Sequence, residues 1–86
     1  MSWEYLIDPD AKKQLARFPK KDAANILFSI EQISQNPYGG DLRKLGGIAW
    51  CRRVSRYRIK FEIHKDQKLV YVYDVERRTT TTYRKR

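Results

Sequence analysis

Arg58 and Lys60 stand two residues apart in the run Tyr57-Arg58-Ile59-Lys60-Phe61-Glu62-Ile63-His64. In an extended strand, alternate side chains leave on opposite faces. The two cations therefore share one face with Glu62 and His64, and Tyr57, Ile59, Phe61 and Ile63 share the other. Arg52 and Arg53 lie just upstream. As neighbours on a strand they point to opposite faces, so one of them joins the pair. Arg78 and Tyr83 follow the next apolar run, Leu69 to Val75, and can fold beside it. Cations gathered on one open side, with a Tyr nearby, suit an RNA backbone and a stacked base. The plainer reading is ordinary outward-facing charge on a half-exposed sheet, and pattern alone weighs the two about evenly.

These residue types match a particular reaction. The 2′-OH of RNA can attack its own adjacent phosphate, so cleavage requires neither a metal nor a nucleophilic side chain. A protein must then hold the backbone in line, stabilise charge on the phosphorane and assist proton transfer. Arg offers bidentate phosphate contacts and stays protonated. Tyr can hydrogen-bond, stack, or move a proton. Parts for other chemistries are missing from the sequence: it has no Gly-rich phosphate loop and no Ser-His-Asp set. One cysteine, Cys51, and one histidine, His64, fall short of the four or so ligands of a zinc site.

The charge distribution agrees. The chain has 86 residues and a formal net charge of +9. Residues 1–43 carry six basic and six acidic side chains; residues 44–86 carry thirteen basic and four acidic ones. All of the excess sits in the second half, as expected of a segment that faces a polyanion. A length of 86 residues suits one compact domain, expected to span 1–86, with a modest core. A lone Cys gives no intramolecular disulfide, and no apolar run approaches a membrane span. The N-terminal residues lack the pattern of a secretory signal, so the expected location is cytoplasmic, with no membrane partner.

The elements that must position these residues follow from local pattern. Residues 3–7 read as a short strand. Asp8 caps a helix with Pro9 in its first turn, running to about Arg17 with Ala11, Leu15, Ala16 and Phe18 as its apolar set. Phe18-Pro19 ends it. A second helix runs from Lys20 to about Gln35, with Ala23, Ala24, Ile26, Leu27, Ile30 and Ile33 on one face. Asn36-Pro37-Tyr38-Gly39-Gly40 stops it. Residues 41–48 read as a loop or irregular link. Strands are expected at about 49–55, 56–64 and 68–76, the last two joined by the polar turn Lys65-Asp66-Gln67-Lys68. The Thr-rich tail is a last short strand or a loop. The result is an α+β domain of order β-α-α-β-β-β, two helices on one face of a mostly antiparallel sheet. Trp50 and Tyr57 are expected in the core, Cys51 as a small buried apolar group, and His64 at the surface.

The run Leu45-Gly46-Gly47-Ile48-Ala49-Trp50-Cys51-Arg52-Arg53-Val54-Ser55-Arg56-Tyr57-Arg58-Ile59 resembles the signature of the RelE/ParE toxin superfamily: an L-x-G turn, a Trp, a basic strand, and a Y-R pair opening the next strand. Val72-Tyr73-Asp74-Val75-Glu76-Arg77-Arg78 with Tyr83-Arg84 resembles its closing segment. The likeness spans nearly the whole chain and agrees with the element order. It implies the toxin of a type II toxin–antitoxin system, held by a cognate antitoxin. The RelE-like members enter the ribosomal A site and cleave mRNA without a metal or other cofactor.

By position, Arg58 matches the phosphate-stabilising Arg of the Y-R pair, Arg78 the Arg after the central strand (residues 69–75), Arg53 a basic residue of the first strand of the hairpin set, and Tyr83 the C-terminal Tyr. Lys44, Arg52, Lys60, Arg77, Arg84, Lys85 and Arg86 are the expected contacts to mRNA or ribosomal RNA. The sequence departs from the pattern in places. Ser55-Arg56 stands where the turn is commonly Gly-Asp, and Glu76-Arg77 where Gly-His or Gly-Lys is common. Cys51 takes a position that is often basic, and Arg52 one that is often apolar. The Trp50-Cys51-Arg52-Arg53 run is closer to the YoeB branch, whose acid and base are a Glu and a His. Neither has a clear counterpart here: Asp41 is a weak match for the acid, and the general base has no assignment. Two other readings share the fold: a ParE-type toxin acting on DNA gyrase, and an RNA-binding relative without activity.

Overall fold

The computed structural model describes residues 3–40 and 42–77. The chain runs β1 (Glu4–Ile7), α1 (Pro9–Arg17), α2 (Lys20–Gln35), β2 (Leu42–Gly46), β3 (Ala49–Val54), β4 (Tyr57–His64), a 3-10 turn (Lys65–Gln67) and β5 (Leu69–Arg77). The strands form one sheet in the order β1-β5-β4-β3-β2. β1 lies parallel to β5, and every other pairing is antiparallel. This is the expected α+β arrangement, with both helices on one side of the sheet. None of the helices is long and apolar enough to cross a membrane, among the described residues.

Both helices start and stop for local reasons. The Asp8 carboxylate accepts the Asp10 N–H at 3.0 Å, and Pro9 fills the first turn where an N–H has no partner. Pro19 forces Phe18 into extended backbone, which ends α1. α1 buries Ala11 and Leu15; α2 buries Ile26, Ile30 and Ile33. Ala16 and Ala24, expected to face inward, are exposed, and Leu27 is 39% exposed. The inward stripe is narrower than the apolar pattern because the helices rest on a sheet on one side only.

Alternation on β4 is complete. Tyr57, Ile59, Phe61 and Ile63 are buried against the helices, while Arg58, Lys60, Glu62 and His64 face the other way. Val70, Val72 and Val75 of β5 finish the core. The Tyr57 ring lies 4.6 Å from that of Phe18, and its hydroxyl donates to Asp22 of α2 at 2.7 Å. β1 stops at Ile7, opposite Val72, which leaves the lower half of β5 without a strand partner on that side. Gln14 of α1 takes over there. Its side-chain oxygen accepts the Val75 N–H and its NH2 donates to Asp74, both at 3.0 Å.

The expected loop at 41–48 is wrong for most of its length. Leu42–Gly46 is strand β2, antiparallel to β3. It is the sheet's outer edge and is exposed along both faces apart from Leu42, so the strand has no apolar alternation to announce it. Backbone pairing to β3 alone defines it. Gly46 and Gly47, with φ of 145° and 55°, make the turn into β3, a geometry L side chains rarely adopt.

The β3–β4 turn is Ser55-Arg56, and Ser55 sits in left-handed backbone at φ 55°. A Gly removes that strain. Ser55→Gly should raise stability by about 0.5–1 kcal/mol. Urea unfolding at neutral pH checks this, and a lower midpoint would contradict the turn geometry.

Asp8 also joins the first strand to the last. Besides capping α1, its carboxylate accepts the Tyr71 hydroxyl. That bond and the Asp10 N–H hold its pKa below the ordinary carboxylate value. A lowered folded-state pKa means stability that is present above about pH 4 and is lost as pH falls through the folded value. Asp8→Asn keeps the acceptor and loses the titration. Its unfolding midpoint should therefore fall less than that of the wild type between neutral and acid pH. Parallel acid limbs in the two proteins would exclude Asp8 as the titrating group.

Candidate nucleic-acid interface

The face of the sheet away from the helices is built in rows set by strand register. One row reads Arg43 (β2), Cys51 (β3), Lys60 (β4), Asp74 (β5). The next reads Arg53 (β3), Arg58 (β4), Glu76 (β5). Arg43, Arg53 and Arg58 line a shallow cavity of about 60 Å³ together with Leu45 and Cys51.

Arg53 and Arg58 are direct cross-strand partners. Like charges in that position destabilise a sheet by about 0.2–1 kcal/mol, so folding alone gives no reason for the pair. Among the described residues, Lys60 forms ion pairs with Glu76 at 3.2 Å and with Asp74 at 3.7 Å, and the His64 ring is hydrogen-bonded to Glu62 at 3.0 Å. None of them involves Arg43, Arg53 or Arg58. Among the described residues no carboxylate is within ion-pair distance of these three guanidiniums, whose forked donors fit phosphate oxygens.

Lys60 is different. Burial pulls its pKa down, but the hydrogen bond and charge of Glu76 and the charge of Asp74 outweigh that, and the net shift is upward. It stays protonated, with its charge spent inside the sheet face. Cys51 is 6% exposed at the floor of the cavity. Burial pushes its thiol pKa up in spite of nearby Arg58 and Lys60, so it remains a neutral apolar group. Tyr73 has no register partner, since Lys60 pairs with Asp74 and Phe61 with Val72. Burial raises its pKa against the pull of Lys60, which keeps it a phenol near neutral pH.

The expected contact residues divide by face. Arg53, Arg58 and Lys60 come together on the open side. Arg52 lies in register with Ile59, on the helix side, with its guanidinium beside Gly40 at the end of α2. Arg77 pairs with Tyr57 and is likewise on the helix side, near Arg17 and Phe18. Lys44 pairs with Trp50, its ammonium 5.7 Å from the indole centre. Arg78, Tyr83, Arg84, Lys85 and Arg86 lie outside the described residues, as does Asp41. Trp50, expected in the core, is only half-buried at its margin.

Two members of the open face were missed by sequence reasoning. Arg43 belongs to the unrecognised strand β2, and its two-residue spacing from Leu45 was the available signal. Glu76 was noted only as a departure from the family pattern, yet it sits in register with Arg58 and holds Lys60.

Two helices on one side of a five-stranded mixed sheet make a recognisable α+β fold. Solved RelE toxins share it, and the chain has the RelE fold. It is similar to RelE in an archaeal RelE–RelB complex from Pyrococcus horikoshii at TM-score 0.82 and 20% identity, over 93% of this chain and 99% of that one. The isolated E. coli RelE toxin matches at TM-score 0.80 and 14% identity, over 91% and 86%. A chain of the RelBE2 toxin–antitoxin complex from Mycobacterium tuberculosis matches at 0.77 and 21%, over 91% and 100%. No family model and no curated protein sequence matches the chain.

Proposed function

We propose that the chain is the toxin of a type II toxin–antitoxin system and a metal-independent endoribonuclease that cuts mRNA in the ribosomal A site. The observation that carries this reading is the Arg53–Arg58 cross-strand pair on the open side of the sheet, neither member of which has an ion-pair partner among the described residues. A phosphate between them is gripped from two sides. As the 2′-OH attacks, charge builds on the non-bridging oxygens, and fixed guanidiniums stabilise that charge more than they stabilise the ground state. Arg43 extends the surface toward the sheet edge and can take a neighbouring phosphate. From the family resemblance, Arg78 adds a further cation and Tyr83 stacks on or activates the substrate. Glu76, beside Arg58 and Lys60, is the carboxylate nearest the centre of this face.

The RelE neighbours solved with antitoxin favour a protein partner for this chain too. An amphipathic, partly disordered antitoxin segment that covers the cationic face and wraps the helices would suit it. Exposed Phe28 and Leu27 on α2 offer it apolar anchors. In vitro translation with purified protein, reading mRNA ends by primer extension, tests the reading, with a gyrase supercoiling assay run beside it. New ends inside ribosome-occupied codons support cleavage. Intact mRNA together with inhibited gyrase moves the chain to the ParE-type reading, and neither effect leaves a binding relative.

A further inference from the structure

A second site lies on the opposite side of the sheet, beyond the end of α2. It is a cavity of about 440 Å³, within the range of ligand pockets, walled by Tyr38, Trp50, Ile48, Lys44, Lys65 and Asp66. Trp50 is in register with core residue Phe61, which places this cavity on the helix side and separates it from Arg53 and Arg58. The Tyr38 and Trp50 rings meet at 84° with centroids 6.0 Å apart, forming a corner of two aromatic walls. Trp3 backs Tyr38 from behind at 6.4 Å and 86°. Neither wall is sealed in the core: Tyr38 is 46% exposed and Trp50 half-buried, with Ile48 48% exposed at the mouth.

The cations complete the picture. Lys44 lies 5.7 Å from the Trp50 ring centre and Lys65 5.7 Å from that of Tyr38. Neither ammonium has a carboxylate within ion-pair distance among the described residues. Asp66 is the one acidic group on the rim. A surface ammonium is held only weakly by a ring face, and a stacked base is held more strongly. A flat aromatic ligand that enters the corner displaces both ammoniums outward, where they meet whatever charge the ligand carries. We infer that this cavity takes an unpaired nucleobase of single-stranded RNA, stacked on Trp50 and Tyr38, with Lys44 and Lys65 on its flanking phosphates. The site is independent of the arginine face and holds whether or not the chain cuts RNA.

The probe is a 2′-O-methyl hexa-adenylate, which lacks the attacking hydroxyl and cannot be cut by that route. Both tryptophans of the chain belong to this aromatic cluster, so base stacking is read as quenching of intrinsic fluorescence. The full-length protein should be quenched on titration, and Arg58→Ala should keep the quench. Tyr38→Leu should weaken the quench-reported affinity about tenfold, while an abasic oligomer shows no difference between the two proteins. Lys44→Ala with Lys65→Ala changes only exposed side chains, and should weaken binding and lower the slope of log K against log salt by about 1 to 2. Equal affinity of Tyr38→Leu and wild type would overturn the site, as would an equal loss with the abasic oligomer. A Tyr38→Leu loss confined to antitoxin binding would make the cavity a protein contact and overturn it as well. Should Tyr38→Leu fail to fold, the lysine pair decides alone. Loss of cleavage in Arg58→Ala with the quench retained separates this site from the proposed reaction.

Discussion

Arg58→Ala is expected to lower mRNA cleavage by at least about 10²–10³-fold and to abolish growth arrest on expression, without loosening the fold. Arg58 is half-buried between Arg53 on one side and Glu76 on the other. Its removal takes away a repulsion from Arg53 and leaves Glu76 paired with Lys60. Melting temperature should therefore hold or rise slightly, since the repulsion is of the order of 0.2–1 kcal/mol. Affinity for the proposed antitoxin should stay within about tenfold, as expected of a residue that acts mainly on the transition state. The combination is diagnostic. A residue kept for the fold loses stability when removed, and one kept for chemistry loses rate. Growth arrest that survives both Arg58→Ala and Arg78→Ala would exclude the cleavage reading.

Phe61→Ala is expected to unfold a large share of the molecule. Phe61 is the largest fully buried side chain, at 0% exposure in the middle of β4. Its side chain is on the helix side of β4, opposite the face that carries Arg58 and Lys60. Truncation leaves a void between sheet and helices, costing about 3–5 kcal/mol. Domains of this size have total stabilities toward the low end of about 5–15 kcal/mol, so most of the margin goes. Urea unfolding followed by far-ultraviolet circular dichroism gives the loss directly. Phe61→Leu should lose under about half as much, because most of the volume is kept. A Phe61→Ala protein as stable as wild type would mean that the core is centred elsewhere.

Much of this was legible before the structure. β4 announces its two faces by strict alternation, and with them the positions of Arg58 and Lys60. Asp8-Pro9 and Phe18-Pro19 mark the bounds of α1 by chemistry that is local to a few residues. β2 was not legible, because an edge strand exposed on both sides has no pattern that distinguishes it from a loop. The loss of β2 hid Arg43. The pairing of Lys60 with Glu76 could not be read either, since it depends on the register of β4 against β5 and on the irregularity at Tyr73. Trp50 shows a further limit. A Trp on the core face of a strand reads as core, and only the end of α2 reveals that the helices stop short of covering it.

The parallel pairing of β1 with β5 bears on how the protein is made. Glu4, Tyr5, Leu6 and Ile7 find their partners at Leu69, Val70, Tyr71 and Val72. The partner of β1 is made only after both helices and strands β2 to β4. The rows on the open face also draw their final members, Asp74 and Glu76, from that late strand. At about 5–20 residues per second, several seconds separate the synthesis of β1 from that of β5. Contacts this distant in sequence also slow the search for the native arrangement. The arginine face therefore gains Asp74 and Glu76 only once β5 has been made and has joined the sheet.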